Sequence, residues 1–177
     1  MDDKFDIAFK FLLENEGGFV DDPDDIGGAT KYGISLRFLE QHFECNNIWA
    51  DVNSDGAIDS NDIRFLTMDY AKKIYRQEFW EPVKNIPDSR LATKVFDAGV
   101  NIGIKKAIAI FQRILPRNVV TDGIVGPITI NAVKQGKYRQ ILSAYIRELI
   151  YYYTDISKKN QLDKYLIGWI KRAIREP

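Results

Sequence analysis

Glu16 is the carboxylate of this sequence whose position suggests chemistry. It ends the first predicted helix, in which Phe5, Phe9 and Leu12 fall at helical spacing along one apolar stripe. Glu16 falls on the same stripe, whereas Glu14 lies nearly opposite, where a solvated charge belongs. We expect burial and the negative end of the helix dipole to favour the protonated form of Glu16, unless the helix frays and the side chain simply reaches solvent. A carboxylic acid that is protonated near neutral pH is what a glycosidase needs as its general acid.

The segment that begins at Glu16 resembles a known family. It reads Glu-Gly-Gly-Phe-Val-Asp-Asp-Pro-Asp-Asp-Ile-Gly-Gly-Ala-Thr-Lys-Tyr-Gly-Ile-Ser and is similar to the signature of glycoside hydrolase family 108. That family contains N-acetylmuramidases, including phage endolysins and secretion activators. The resemblance implies a lysozyme-like fold and cleavage of the glycan of peptidoglycan. It also implies that Glu16 is the catalytic acid.

Asp25 and Thr30, which follow Glu16 in the sequence, are candidates for positioning or activating the attacking water. The spacing also resembles that of phage-type lysozymes, in which an aspartate and a threonine follow the acid, and Asp25 and Thr30 occupy similar places here. In such sites the carboxylate and the hydroxyl hold or activate water, and an inverting enzyme needs room for that water between its two carboxyl groups. Asp25 could equally cap a turn. Three neighbouring aspartates are rival candidates: Asp21, Asp22 and Asp24.

Three further residues are candidates for substrate binding. Tyr32 could form a wall on which a sugar stacks, although a half-buried tyrosine of a hairpin gives the same pattern. Asn101 and Gln112 lie in a region that resembles the predicted peptidoglycan-binding region of the same family, over residues 88–135. Their amides offer donors and acceptors for hydroxyl and acetamide groups. Either amide could equally satisfy a buried backbone group.

Residues 51–62 match an EF-hand calcium loop at several informative positions. Oxygen-bearing side chains stand at loop positions 1, 3 and 5, glycine at position 6 and an apolar residue at position 8. The twelfth residue is aspartate instead of glutamate, as in dockerin modules. We expect Ca²⁺ to fold this loop and to do no chemistry, the alternative being a turn that binds nothing. The predicted ligands are Asp51, Asn53, Asp55, the backbone carbonyl of Ala57, and Asp62.

The elements that position these residues are predicted to be mostly helices, so the expected fold is mainly α and lysozyme-like. A small β element is expected near the N-terminal catalytic loop, over residues 30–35, and Ser35 and Thr67 are expected to cap helices. We divide the chain into a catalytic segment, residues 1–85, and a helical peptidoglycan-binding-like region, residues 86–177, packed into the same globular unit. The other predicted helices cover residues 36–43, 67–80, 90–102, 105–115, 127–134, 138–156 and 162–174.

Composition excludes several classes of protein. The 177 residues carry 25 basic and 25 acidic side chains, so the basic excess typical of a nucleic-acid-binding protein is missing. Cys45 stands alone, which excludes an intramolecular disulfide and a cysteine-rich metal site. We find no transmembrane segment and no signal peptide. We therefore expect synthesis in the cytoplasm and action on the cell wall after holin- or secretion-dependent release, and we expect the protein to be a monomer.

The expected function is hydrolysis of the β-1,4 bond between N-acetylmuramic acid and N-acetylglucosamine, with Glu16 as general acid. A lytic transglycosylase would keep Glu16 but release a 1,6-anhydro sugar. A non-catalytic peptidoglycan-binding or secretion-accessory protein would retain the scaffold for recognition alone. A calcium-dependent interaction module is a further alternative, and chelation would abolish its partner contact.

Overall fold

A computed structural model describes residues 4–15, 30–43 and 50–177 of the chain. Most of these residues lie in helices, and the β structure among them is one short hairpin near the N-terminus. The mainly helical architecture predicted from the sequence is therefore confirmed. None of the helices in these ranges is long and apolar enough to cross a bilayer.

The chain divides into two compact units. The first, which we call the helical unit, comprises Met1–Asn15 and Arg76–Pro177, and the second, the hairpin unit, comprises Glu16–Tyr75. The helical unit therefore combines the first helix with the C-terminal half of the chain. The division into residues 1–85 and 86–177 stays a prediction.

The helical unit is built around an aromatic cluster. Phe5 of the first helix packs on Phe9, Trp80 and Phe96, with ring centroids 5.7, 6.0 and 6.1 Å apart. All four rings are buried, as is Leu12, which confirms the apolar stripe predicted for the first helix. Burying one such ring contributes about 1.5–3 kcal/mol. The elements of this unit are α1 (Lys4–Asn15), a π-helical turn (Arg76–Trp80), α5 (Ser89–Ile102), α6 (Ile104–Arg113), α7 (Pro127–Gln135), α8 (Tyr138–Asn160) and α9 (Asp163–Ile174).

The most extensive contacts in the helical unit join consecutive helices, α5 with α6 and α8 with α9. Asp88 caps α5, because its carboxylate accepts the N–H groups of Arg90 and Leu91. Gly103 links α5 to α6 with a φ of 87°, a conformation that favours glycine. Gly99 lets the two helices approach closely, since a Cβ there would lie 2.6 Å from Ile104 Cδ1.

The described residues of the hairpin unit form a two-stranded antiparallel hairpin and three short helices. The strands pair Thr30 with Ser35 and Lys31 with Ile34. The predicted caps are confirmed, because the Ser35 hydroxyl accepts the N–H of Phe38 and the Thr67 hydroxyl accepts the N–H of Tyr70. The elements are β1 (Thr30–Lys31), β2 (Ile34–Ser35), α2 (Leu36–Phe43), α3 (Ser60–Phe65) and α4 (Met68–Tyr75).

Candidate functional site

Two of the three predicted catalytic residues, Glu16 and Asp25, lie outside the described residues. The described part of the chain reaches Asn15, where α1 ends. Just before this end, Arg175 Nη1 donates to the backbone carbonyl of Glu14 at 3.0 Å, and Arg175 Nη2 pairs with the Glu14 carboxylate at 2.6 Å. The carbonyls of a last helical turn lack partners within the helix. Arg175 therefore supplies a partner for the C-terminal end of α1.

Thr30, the third predicted catalytic residue, is the first residue of β1. Its side chain is half-buried, and its position is fixed by the antiparallel pairing with Ser35. The strand is also fastened from the side, because Lys31 Nζ donates to the backbone carbonyl of Arg64 at the end of α3, 2.8 Å away. Ile34 of β2 is buried. The hairpin thus holds the backbone that carries the Thr30 hydroxyl.

Tyr32 lies in the two-residue turn of this hairpin and is half-buried. Tyr32 and Gly33 have φ values of 55° and 72°, and positive φ at both central residues characterises a type I′ hairpin turn. The Tyr75 hydroxyl donates to the Tyr32 carbonyl at 3.0 Å, and a Cβ on Gly33 would lie 2.5 Å from that same hydroxyl oxygen. Only glycine fits beside Tyr75 here. The role of the Tyr32 ring as a sugar-stacking wall stays a prediction.

The predicted calcium loop is closed by hydrogen bonds between its carboxylates and its own backbone. Asp51 accepts the N–H groups of Asp55 and Gly56 at 3.1 and 2.8 Å, and the Asp55 carboxylate accepts the N–H of Ala57 at 2.9 Å. The Asn53 side-chain oxygen accepts the Asp55 N–H as well. Gly56 has a φ of 88°, as the sharp turn expected at the sixth loop position requires.

Asp62, the twelfth residue of the loop, is fully buried in the first turn of α3. Its two carboxylate oxygens accept the N–H groups of Val52 and Asp59, both at 2.8 Å. Burial raises the pKa of the Tyr70 hydroxyl, and the charges of Asp51 and Asp62 add to this effect. Within residues 4–15, 30–43 and 50–177, no three His, Cys, Asp or Glu side chains form a group that could hold a metal ion. Calcium binding by this loop stays a prediction.

Asn101 lies exposed near the end of α5 and is held by an aromatic side chain. Its side-chain oxygen accepts the Tyr153 hydroxyl at 2.8 Å. The Tyr153 ring stacks on Trp169 at 5.6 Å between centroids, and Tyr165 stacks on the same indole at 5.9 Å. We call Tyr153, Trp169 and Tyr165 the aromatic ladder. Burial raises the pKa of Tyr153, which keeps its hydroxyl a hydrogen-bond donor. Sequence analysis missed the ladder, although the four-residue spacing of Tyr165 and Trp169 on one helix face was visible.

Gln112 is buried and its amide is used inside the protein. Its Nε2 donates to the Asp122 carboxylate and to the Ile124 carbonyl, 2.8 and 2.9 Å away, and its Oε1 accepts the N–H of Gly123 at 2.8 Å. The hydrogen bond from Gln112 lowers the pKa of the Asp122 carboxyl. These bonds fasten the turn before α7. They correspond to the second of the two roles that the sequence left open for Gln112.

A buried charge cluster that the sequence analysis also missed connects α5 with the C-terminal end of α9. Lys94 Nζ donates to the carbonyls of Arg172 and Arg175, each at 2.7 Å, and lies 3.9 Å from an Asp97 carboxylate oxygen. Arg172 Nη2 pairs with the other Asp97 oxygen at 3.0 Å. Burial lowers the pKa of Lys94 to about 8, against the opposing effect of Asp97. The available signal was a lysine among apolar neighbours in α5.

Comparisons with known protein families decide which family this helical chain represents. The family model described as Glycosyl hydrolase 108 matches residues 9–103, more than half of the chain. The chain belongs to the glycosyl hydrolase 108 family. A second model, described as Predicted Peptidoglycan domain, matches residues 106–174. This family member is therefore a glycoside hydrolase, and its substrate is peptidoglycan.

A solved structure from Brucella abortus, that of SagA, is similar to this glycosyl hydrolase 108 family member. The two chains are 24% identical and superpose with a TM-score of 0.68, over 96% of this chain and 93% of SagA. The likeness shows the fold and confirms the lysozyme-like, mainly α architecture predicted from the sequence. No curated protein matches the chain.

Proposed function

We propose that this glycoside hydrolase is an N-acetylmuramidase that cleaves the β-1,4 bond between N-acetylmuramic acid and N-acetylglucosamine, with Glu16 as its general acid. The observation that carries the proposal is the family match over residues 9–103, because it includes the segment 16–35 that resembles the family's signature. The second match, over residues 106–174, supports a peptidoglycan strand as the substrate. The proposed site of action is accordingly the cell wall.

In the proposed reaction, Glu16 donates its proton to the oxygen that bridges the two sugars. Water attacks the anomeric carbon from the opposite face, and its proton passes to the Asp25 carboxylate, while the Thr30 hydroxyl orients the water. The bond between the anomeric carbon and the bridging oxygen breaks. The products are a reducing N-acetylmuramic acid end and an N-acetylglucosamine with a free 4-hydroxyl group.

The neighbouring elements support these roles because they are held firmly. The apolar face of α1 is buried, and Arg175 binds the carbonyl and the carboxylate of Glu14, two residues before Glu16 in the sequence. In the hairpin unit, Lys31 and Tyr75 fasten the hairpin that begins at Thr30. Catalytic groups work best when rigid elements set their positions in advance.

The test uses purified sacculi, the wild-type protein and two matched variants. Glu16→Gln removes the proposed acid, whereas Glu40→Gln changes an exposed glutamate of α2 to which we assign no part in the chemistry or in holding α1. We expect wild type and Glu40→Gln to release fragments with reducing N-acetylmuramic acid ends. We expect Glu16→Gln to lose at least about 100-fold in rate, which is the usual contribution of a positioned acid. Mass spectrometry of the soluble products provides the measurement.

Three results would contradict the proposal. Anhydro ends that depend on Glu16 would identify a lytic transglycosylase, because that product lacks one water. A wild-type protein that binds sacculi but releases no sugar, with or without added Ca²⁺, would indicate a non-catalytic wall-binding or secretion-accessory role. Unchanged activity of Glu16→Gln would show that another group is the acid.

A further inference from the structure

We propose that the aromatic ladder is a binding platform for an N-acetylated sugar ring of the peptidoglycan glycan strand. The platform is formed by Tyr165 and Trp169 of α9, Tyr153 of α8 and Asn101 of α5. The inference rests on the proposed function only in that it takes the glycan strand as the ligand. It adds a recognition surface and its residues.

The geometry of the three rings gives the ladder a defined outer face. The planes of Tyr165 and Trp169 differ by 28°, and those of Trp169 and Tyr153 by 25°. The series runs from buried Tyr153, through half-buried Trp169, to Tyr165, which is 47% exposed. Because each ring rests on the next, the exposed ring is held at a fixed angle. A tyrosine or tryptophan ring also loses little conformational entropy on binding, since it has only two side-chain torsions.

A sugar ring is complementary to such a surface. One face of a pyranose presents C–H groups, which carry partial positive charge and are poorly hydrated. The face of an aromatic ring carries the negative part of its quadrupole and is apolar. Stacking therefore buries apolar surface on both partners and leaves the equatorial hydroxyl groups of the sugar free for hydrogen bonds.

Asn101 supplies a polar partner at the Tyr153 end of the ladder. The Tyr153 hydroxyl holds the side-chain oxygen of Asn101, which orients the amide. Among the residues that the structure describes, the Asn101 Nδ2 group has no hydrogen-bond partner, and the residue is exposed. An oriented amide donor suits the carbonyl of an acetamido group. The ammonium of exposed Lys164 lies over the Tyr165 ring, 4.7 Å from its centre, so a sugar that stacks on this ring displaces a mobile side chain that can then donate to its hydroxyl groups.

The chemistry of the surface and the family match together favour a glycan over other occupants. Stacked rings beside a neutral amide suit a ligand that combines an apolar face with amide and hydroxyl groups. The match to the peptidoglycan domain covers residues 106–174, which include all three rings of the ladder. A second copy of this chain and a peptide stem of peptidoglycan are the competing occupants.

The experiment measures binding of the full-length protein to peptide-free glycan strands by isothermal titration calorimetry. The Glu16→Gln substitution is present in every protein to suppress cleavage. Tyr165→Ala removes the exposed ring, and Tyr165→Phe keeps it. Tyr151→Ala is the matched control, because Tyr151 lies outside the ladder and is similarly exposed, at 62%.

We expect Tyr165→Ala to raise the Kd about five- to tenfold, as loss of one aromatic contact implies. Tyr165→Phe and Tyr151→Ala should bind within about twofold of the parent protein. A smaller increase in the Kd is expected for Asn101→Ala, which removes the amide donor. Circular dichroism checks that each variant is folded. We expect the variants to fold because the substituted side chains are exposed.

Three results would overturn the proposal. The first is unchanged glycan binding by Tyr165→Ala. The second is binding of free stem peptides, but not of glycan strands, that depends on the ladder. The third is a dimer that dissociates in Tyr165→Ala while glycan binding persists, as light scattering would show. The proposed function is tested separately: ladder-dependent binding in a protein that releases no muropeptides would support the platform and refute the muramidase.

Discussion

Lys94 places a positive charge in the interior of the helical unit, where a charge is costly. Its ammonium group is satisfied by two carbonyls at the C-terminal end of α9 and lies near Asp97, which also pairs with Arg172. Burial is nevertheless the largest influence on Lys94 and lowers its pKa to about 8. Arg172 and Arg175 lower that pKa further, whereas Asp97 and Glu176 raise it.

The depressed pKa predicts that stability rises with pH in a defined window. Between about pH 8 and 10.5, the unfolded chain keeps the Lys94 proton that the folded chain has lost. The free energy of unfolding therefore increases with pH, by at most about 1.4 kcal/mol per pH unit from this one proton. We expect Lys94→Met to lose this part of the slope. Urea unfolding at several pH values between about 8 and 9 measures it, because the raised pKa values of Tyr70, Tyr145 and Tyr153 affect stability mainly above that range, where unfolded tyrosine ionises.

The control for this prediction is Lys159→Met, which removes an exposed lysine of α8. Lys159 pairs with Asp155 on the surface, so its charge is already solvated. Its substitution should leave the slope of stability against pH unchanged. Equal slopes for wild type and Lys94→Met would show that the buried ammonium does not lose its proton in this window.

At the scale of elements, local sequence patterns predicted most of what the structure shows. The buried face of α1 follows from its 3.6-residue period, and the caps at Ser35 and Thr67 follow from their hydroxyl groups. The predicted helix over residues 67–80 instead divides into α4 and the π-helical turn Arg76–Trp80. Trp80 of this turn packs on Phe5 and Phe96, which are distant in sequence.

The parts of the candidate site that the sequence could not specify depend on distant contacts. The two roles open to Gln112 could be weighed only once its contacts with Asp122 and Gly123 were visible. Lys94 is buried because the end of α9, about 80 residues later, supplies its carbonyl partners. Local periodicity carries no information about such pairs. Glu16 and Asp25 stay predictions from sequence and family.

The loop over residues 51–62 gives a testable prediction at the scale of elements. If it binds Ca²⁺ as its residue pattern predicts, the ion stabilises the folded protein, by about 2.7 kcal/mol at a free concentration one hundred times the Kd. We expect the Tm to rise with added Ca²⁺ and to fall again with a chelator. Asp51→Asn should lose most of this effect, whereas Asp155→Asn, in an exposed carboxylate of α8, should keep it. Absence of a Tm change and of binding heat would contradict a calcium site.

At the scale of the whole molecule, the helical unit contains residues from both family matches. The two matches end and begin at residues 103 and 106, at the link between α5 and α6. That link lies inside the helical unit, to which α1 also belongs. Phe5 packs on Phe96 of α5, and Arg175 binds Glu14 across 161 positions of sequence. The helix before the proposed acid and the peptidoglycan domain thus share one unit.

This sharing predicts that a change in α1 destabilises the peptidoglycan domain. Phe5→Ala removes a buried ring and should lower the free energy of unfolding by about 3–5 kcal/mol. Hydrogen exchange should then speed up not only in α1 but also in α6 and α8, because the unit unfolds cooperatively. Ile7→Ala, at an exposed position of the same helix, should change neither quantity by more than about 0.5 kcal/mol. If Phe5→Ala left exchange in α6 and α8 unchanged, the peptidoglycan domain would be stable without α1, and the helical unit would not unfold cooperatively.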